Sequence, residues 1–188
     1  MIIGCLTKYK TINHIHHNVE SNFILYFEPD FNKKKKPALS PKEALLKAAN
    51  FCAYQERSQQ EVRNKLYDYG LHETEVDEVL SDLIVQGFVN EERFAKTYVG
   101  GKFRIKKWGR IKILQGLKQH KISEYCINQG MKEIDDTSYE ATLIGLLEKK
   151  SRSVKATNEF ERNTKLARYA ISRGYESGIV WEVIKTKL

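Results

Sequence analysis

Apolar residues recur at helical spacing through most of this chain. Ala44, Leu45, Ala48, Ala49 and Cys52 fall on one face of a helix. Ser40-Pro41-Lys42-Glu43 ahead of them reads as its start, with Ser as N-cap, Pro at the first helical position and Glu at the third. Ser58-Gln59-Gln60-Glu61 is a second capping box. Val62, Leu66 and Tyr69 follow on one face, and Gly70 ends the helix as a left-handed cap. Thr74 begins a third helix, with Val76, Val79, Leu80, Leu83 and Ile84 inward and Gly87 as its stop. Three short helices of this kind are not stable singly, so they must pack as a unit.

The unit then repeats at a spacing of about fifty residues. Leu117 answers to Leu66, Ile122 to Leu71, Ile127 to Val76, Met131 to Leu80 and Ile134 to Leu83. A fainter third copy carries Ala170, Gly174, Tyr175, Val180 and Ile184. Between these marks, Asn90–Arg93 starts a helix that buries Phe94, Ala95, Tyr98 and Val99. Trp108-Gly109 turns into Ile111, Ile113, Leu114 and Leu117, and Ser123 caps the helix of Ile127 and Met131. Residues 135–150 place Tyr139, Leu143, Leu146 and Leu147 on one side, and two further helices lie near 158–173 and 176–187. The expected fold is all-α: an elongated array of three tandem three-helix, helix-turn-helix-like modules. Their expected bounds are 39–89, 90–136 and 137–188, preceded by an arm and Lys-rich linker over 1–38.

The arm differs from the array. It mixes Lys, Asn and His with the short run Phe23–Phe27, which reads as an appended strand or part of a flexible arm, and ends in Lys33–Lys36 and Pro37. Four consecutive lysines repel one another and stay solvated. His14-Ile15-His16-His17 has no carboxylate or cysteine beside it and reads as polar arm rather than metal site. Cys5, Cys52 and Cys126 are odd in number and widely spaced, which speaks against a disulfide framework or zinc site and fits a reducing cytoplasm. No apolar run is long enough to span a membrane. Ile2-Ile3-Gly4-Cys5 has the form of a lipoprotein cleavage site without the basic start and apolar stretch that export needs, so export is not expected.

Charge narrows the partners. The net charge is +8, which suits an anionic partner such as nucleic acid or an acidic protein surface. From Arg93 to Ser123 there is no acidic residue, although the chain has 24 Asp and Glu. That window holds Arg93, Lys96, Lys102, Arg104, Lys106, Lys107, Arg110, Lys112, Lys118 and Lys121. With no carboxylate nearby in sequence, these cations read as a phosphate-seeking surface. Phe103 and Trp108, interleaved with them, read as core residues rather than base-stacking platforms. A second cluster, including Lys149, Lys150, Arg152, Lys155, Lys165 and Arg168, is diluted by Glu148, Glu159 and Glu161. Glu73, Asp77 and Glu78 form an acidic helix face, read first as solvated and second as a contact for a basic protein.

Catalysis has no foothold in this sequence. Gly100-Gly101-Lys102 lacks the first glycine and the Ser or Thr of a phosphate loop, and it sits in a helical pattern with no strand before it. His72 and His120 have no nucleophile motif near them, and no metal-ligand spacing stands out. Neither cofactor nor enzymatic activity is expected.

The ordered set of marks resembles the bacterial RecX family, regulators of the RecA recombinase. It runs through Ala44-Leu45…Ala48, Arg57-Ser58…Glu61-Val62…Lys65-Leu66…Gly70 and Val76…Val79-Leu80…Leu83. It continues through Gly87-Phe88-Val89-Asn90-Glu91…Arg93-Phe94-Ala95…Tyr98-Val99 and Lys102…Lys107…Gly109…Ile113…Leu117…Ile122. It covers about residues 40–188 and leaves the arm outside. The chain departs from the family's common pattern at Asn90-Glu91, where an Asp usually follows the Gly-Phe-Val step, and at Lys121, where Gly is common. The resemblance implies a non-enzymatic protein; a monomer in the cytoplasm is expected. Such proteins bind RecA filaments on single-stranded DNA and reduce strand exchange, ATP hydrolysis and coprotease activity in DNA repair and the SOS response. The rival reading is a helical module acting directly on DNA or RNA. A groove reader needs Arg, Asn or Gln together on a recognition helix, and the third helices of the first two modules lack such a set.

Overall fold

A computed structural model describes residues 38–188. The arm, with Ile2–Cys5, His14–His17, Phe23–Phe27 and Lys33–Lys36, lies outside the described residues. Nine helices occur among the described residues, and no strand. The first three are α1 (Pro41–Tyr54), α2 (Gln59–Asp68) and α3 (Glu73–Val85), followed by α4 (Glu91–Arg104), α5 (Arg110–Gln119) and α6 (Glu124–Met131). The last three are α7 (Asp136–Ser151), α8 (Glu159–Ser172) and α9 (Ser177–Lys187). The sequence thus folds as all-α tandem modules.

Capping sets the helix starts. Ser40 with Glu43 and Ser58 with Glu61 form complete capping boxes. Asn90, Ser123, Asp135 and Asn158 each accept from the backbone N–H three residues on. Each such acceptor satisfies one of the orphan donors of a helix's first turn. Gly70, Gly87 and Gly174 take positive φ where helices stop.

Two cores result. Ala44, Ala48, Cys52, Val62, Leu66, Val76, Leu80 and Leu83 close the first, within α1–α3. Ile84, expected inward, is 41% exposed, because the buried stripe of α3 runs through Val76, Val79, Leu80 and Leu83 and passes it by. Ile111, also expected inward, is exposed at the start of α5, where Ile113 and Leu117 take the core face.

The second core spans α4 to α9 without a break. Its centre is a ladder of rings: Phe103 to Tyr139 at 6.0 Å and Tyr139 to Tyr175 at 5.0 Å between centroids. Tyr139 is buried, but its hydroxyl donates to Glu176 at 2.6 Å and accepts from the Arg110 backbone N–H at 3.0 Å. Burial, then the Glu176 carboxylate, hold its phenol far above the ordinary tyrosine range. The second and third modules therefore share one interior. Where α4 crosses α6, a Cβ on Gly130 would stand only 2.9 Å from the Ala95 backbone, so this close approach depends on glycine.

The first module meets the others through polar contacts. Arg93 donates to Glu56 at 2.6 Å and to the Gly87 carbonyl at 3.0 Å. His120 Nδ1 lies 3.1 Å from the buried Ser58 hydroxyl and 3.9 Å from Glu61.

Candidate nucleic-acid and filament interface

The corner between α4 and α5 presents the centre of the basic window. Lys107 takes φ +54°, which folds the chain back so that its N–H donates to the Phe103 carbonyl at 3.0 Å and the Trp108 N–H donates to Lys102 at 3.2 Å. Ile105, Lys106 and Lys107 are left exposed at the tip.

That tip forms one wall of a groove of about 690 Å³. Residues of α7, among them Ala141, Gly145 and Lys149, form its floor, and Tyr169 and Arg173 at the end of α8 form the far wall. Lys106, Lys107, Lys149 and Arg173 line it together, and no carboxylate does. The basic window of the second module and the basic cluster of the third thus meet in one place. Arg173 donates to the Lys106 carbonyl at 3.2 Å, which ties the two walls. Its guanidinium lies 5.3 Å from the centre of the Tyr169 ring, and Lys150 Nζ lies 5.2 Å from the same ring. Lys150 also lines an adjoining depression of about 420 Å³ with Lys155, Lys165 and Arg168. There Lys165 is paired with Glu161 at 2.6 Å, and this pairing with the Thr157 hydrogen bonds takes the Glu161 carboxyl down to about 2.

The other expected cations divide by their partners. Three of them find carboxylates after all. Arg93 takes Glu56 at 2.6 Å, Lys96 takes Glu92 at 2.6 Å and Arg110 takes Asp136 at 2.5 Å. Glu92 raises the pKa of Lys96 above the ordinary lysine value by hydrogen bonding and charge. Arg110 also lies over the Tyr139 ring at 4.2 Å. The acid-free run of sequence is thus supplied with carboxylates from outside it. Arg104 folds back over Gly100, where a Cβ would collide with its guanidinium. Lys102 and Lys112 flank Trp108, 5.1 and 4.8 Å from its ring centre, and Lys112 Nζ lies 3.5 Å from the Ser172 carbonyl at the end of α8. Lys118, Arg152 and Arg168 are exposed. Phe103 is in the core at 5% exposure, and Trp108 packs against it half-buried.

On α3, Glu73, Asp77 and Glu78 are exposed. Asp77 accepts from Arg63 at 2.5 Å, which occupies part of that acidic face. Nothing local in the sequence distinguishes Arg173 and Tyr169 as site residues. Their role in the groove arises from α8 ending against a corner more than sixty residues earlier. No cluster of His, Cys, Asp and Glu fit for a metal occurs among the described residues. No helix among them is long and apolar enough to cross a membrane.

Comparison with known proteins covers all three modules. The family model described as RecX, first three-helix domain, matches residues 44–83, the second three-helix domain matches 90–131 and the third matches 138–184. A regulatory protein RecX of Clostridium tetani (strain Massachusetts / E88) is 29% identical over 143 residues, covering 75% of this chain and 63% of that protein. One of Bacillus mycoides (strain KBAB4) is 23% identical over 138 residues, covering 73% of this chain and 51% of that protein. The match thus takes in less than two thirds of the length of these two relatives. Among solved structures, RecX from Lactobacillus salivarius superposes with a TM-score of 0.70 at 21% identity, covering 77% of this chain and 94% of that one.

Proposed function

The chain belongs to the RecX family, and on that premise we propose that it binds the RecA recombinase filament on single-stranded DNA and restrains it. In this reading it is a non-enzymatic, monomeric cytoplasmic regulator in DNA repair and the SOS response. It lowers strand exchange, ATP hydrolysis and coprotease activity by occupying the filament. The observation that supports this best is the carboxylate-free groove between the α4–α5 corner, α7 and α8. Lys106, Lys107, Lys149 and Arg173 converge there without local neutralisation. Such a groove suits an acidic protein surface or a phosphate backbone, which sheds its condensed counterions on binding.

Sequence reading in a duplex groove is disfavoured. The third helix of the first module exposes acids, and α6 of the second turns Cys126, Ile127 and Gly130 inward and carries no cation.

The test is ATP hydrolysis by RecA on single-stranded DNA, titrated with the full chain and with its Lys106→Glu/Lys149→Glu/Arg173→Glu variant. The wild type should lower the rate and the variant should not. Equal inhibition by both would remove the groove from the contact. Binding to bare DNA with no effect on RecA would favour the rival reading, a module acting directly on nucleic acid.

A further inference from the structure

A second depression, of about 380 Å³, opens where the first module meets α4 and α5. Its volume is in the range of small-ligand sites. Tyr98 and His120 give it an aromatic wall, with rings 5.4 Å apart and inclined at 69°. The Ser58 hydroxyl, 3.1 Å from His120 Nδ1, holds the imidazole in place. Glu56 and Glu61 contribute carboxylates. Glu56 Oε1 takes Arg93, while its Oε2 is buried with no hydrogen-bond partner. Lys102 and Lys106 contribute the cations, and Lys102 Nζ stands 4.9 Å from the Tyr98 ring centre.

This depression and the basic groove share two residues, Ile105 and Lys106. Ile105 is 77% exposed and stands on the crest between them. A strand whose phosphates follow Lys107, Lys149 and Arg173 therefore reaches the second depression by passing over this crest.

We propose that this depression receives one unstacked base of single-stranded DNA while the adjoining phosphates stay on the basic groove. The inference rests on the reading of that groove as the phosphate track. The chemistry selects a base over a phosphate. Two carboxylates, of Glu56 and Glu61, line the wall, where they repel an anion and suit the N–H edge of a neutral base. The Tyr98 and His120 rings in the wall offer aromatic contact, which every base can use. Lysines meet the flanking phosphates.

Gly101 gives a clean test. It lies on α4, lines the depression, and has no atom within 4 Å of where its Cβ would stand. Gly101→Leu therefore fills the space without crowding the core, and it favours the helix. The full chain is titrated with oligo-dC and with an abasic oligomer of equal length, which carries the same phosphates, across a range of salt. The wild type should prefer oligo-dC by roughly tenfold. Gly101→Leu should lose the preference and keep the salt dependence, with a thermal midpoint at or above that of the wild type. Gly101→Ala, which leaves most of the space open, should keep it. Wild-type binding that depends on salt but ignores the bases would overturn the pocket and leave the groove standing. So would a Gly101→Leu variant that retains the preference. If that variant keeps the preference yet inhibits RecA less, the occupant is a protein side chain and not a base. Failure of the wild type to bind either oligomer would remove the phosphate track, and the pocket with it.

Discussion

Gly109 and Gly174 lie backbone against backbone at the joint between the second and third modules. The Gly109 N–H donates to the Arg173 carbonyl at 2.9 Å, and the Ile111 N–H donates to Gly174 at 3.0 Å. A Cβ on Gly109 would collide with the Gly174 carbonyl. This contact fixes the end of α8 against the start of α5 and so positions Arg173 beside Lys106.

Gly109→Ala should therefore destabilise the chain by about 2 kcal/mol through overpacking. Gly145→Ala is the counterpart, because nothing stands within 4 Å of its Cβ position in α7. It should gain about 0.5–1 kcal/mol from helix propensity alone. Urea midpoints of the two variants measure both. An unchanged midpoint for Gly109→Ala would mean that the two segments part easily.

Lys121 stands where the repeat places Gly70 and Gly174, and it takes the same conformation. Its φ is +56°, against +88° and +91° for the two glycines. The left-handed region costs a side chain about 1–2 kcal/mol, partly offset by the extra freedom glycine gives the unfolded chain. Lys121→Gly should raise stability by about 1 kcal/mol, read as a rise in thermal midpoint. A fall would show that the Lys121 side chain stabilises the corner by more than the strain it carries.

The same position shows what the sequence makes legible. Helix existence and order follow from caps and periodicity, which are local. Ser40, Ser58 and Ser123 mark starts because each side chain serves a backbone N–H three residues away. The shift that aligns Leu66 with Leu117 also aligns Gly70 with Lys121, so the repeat foretells the turn even where glycine is missing. The merged interior of the second and third modules is not legible in this way. It depends on the docking of Tyr139 between Phe103 and Tyr175, and no spacing rule connects those three residues. The site was half legible for the same reason. A run without acids suggested free cations, but ion pairing is decided in space. Asp136 reaches Arg110 and Glu56 reaches Arg93 from other helices.

The joint of the first module should depend on Ser58 twice over. Its hydroxyl caps α2, accepting from the Glu61 N–H at 3.1 Å, and it lies 3.1 Å from His120 across the module boundary. Ser58→Ala should cost about 1–2 kcal/mol, with the cap as the main part. His120→Ala should couple to it by about 0.5 kcal/mol or more in a double-mutant cycle. Strict additivity of the two variants would show that the contact across the joint contributes nothing.

The groove and the ion-paired cations should separate in their response to salt. Lys106, Lys107 and Arg173 line a groove without carboxylates. Changing each to Gln should remove roughly 0.7 per lost phosphate contact from the log–log salt slope of single-strand binding, about 2 in all. Arg93→Gln and Arg110→Gln should leave that slope nearly unchanged and lower the denaturation midpoint instead. Each of these arginines is already held by a carboxylate, and Arg110 also covers Tyr139. Truncating it opens the aromatic ladder and leaves Asp136 without its partner. If Arg110→Gln lowers the slope as far as Lys106→Gln does, the Arg110–Asp136 pair opens when DNA arrives. The phosphate track then extends along α5, and the run from Arg93 to Ser123 acts as one surface.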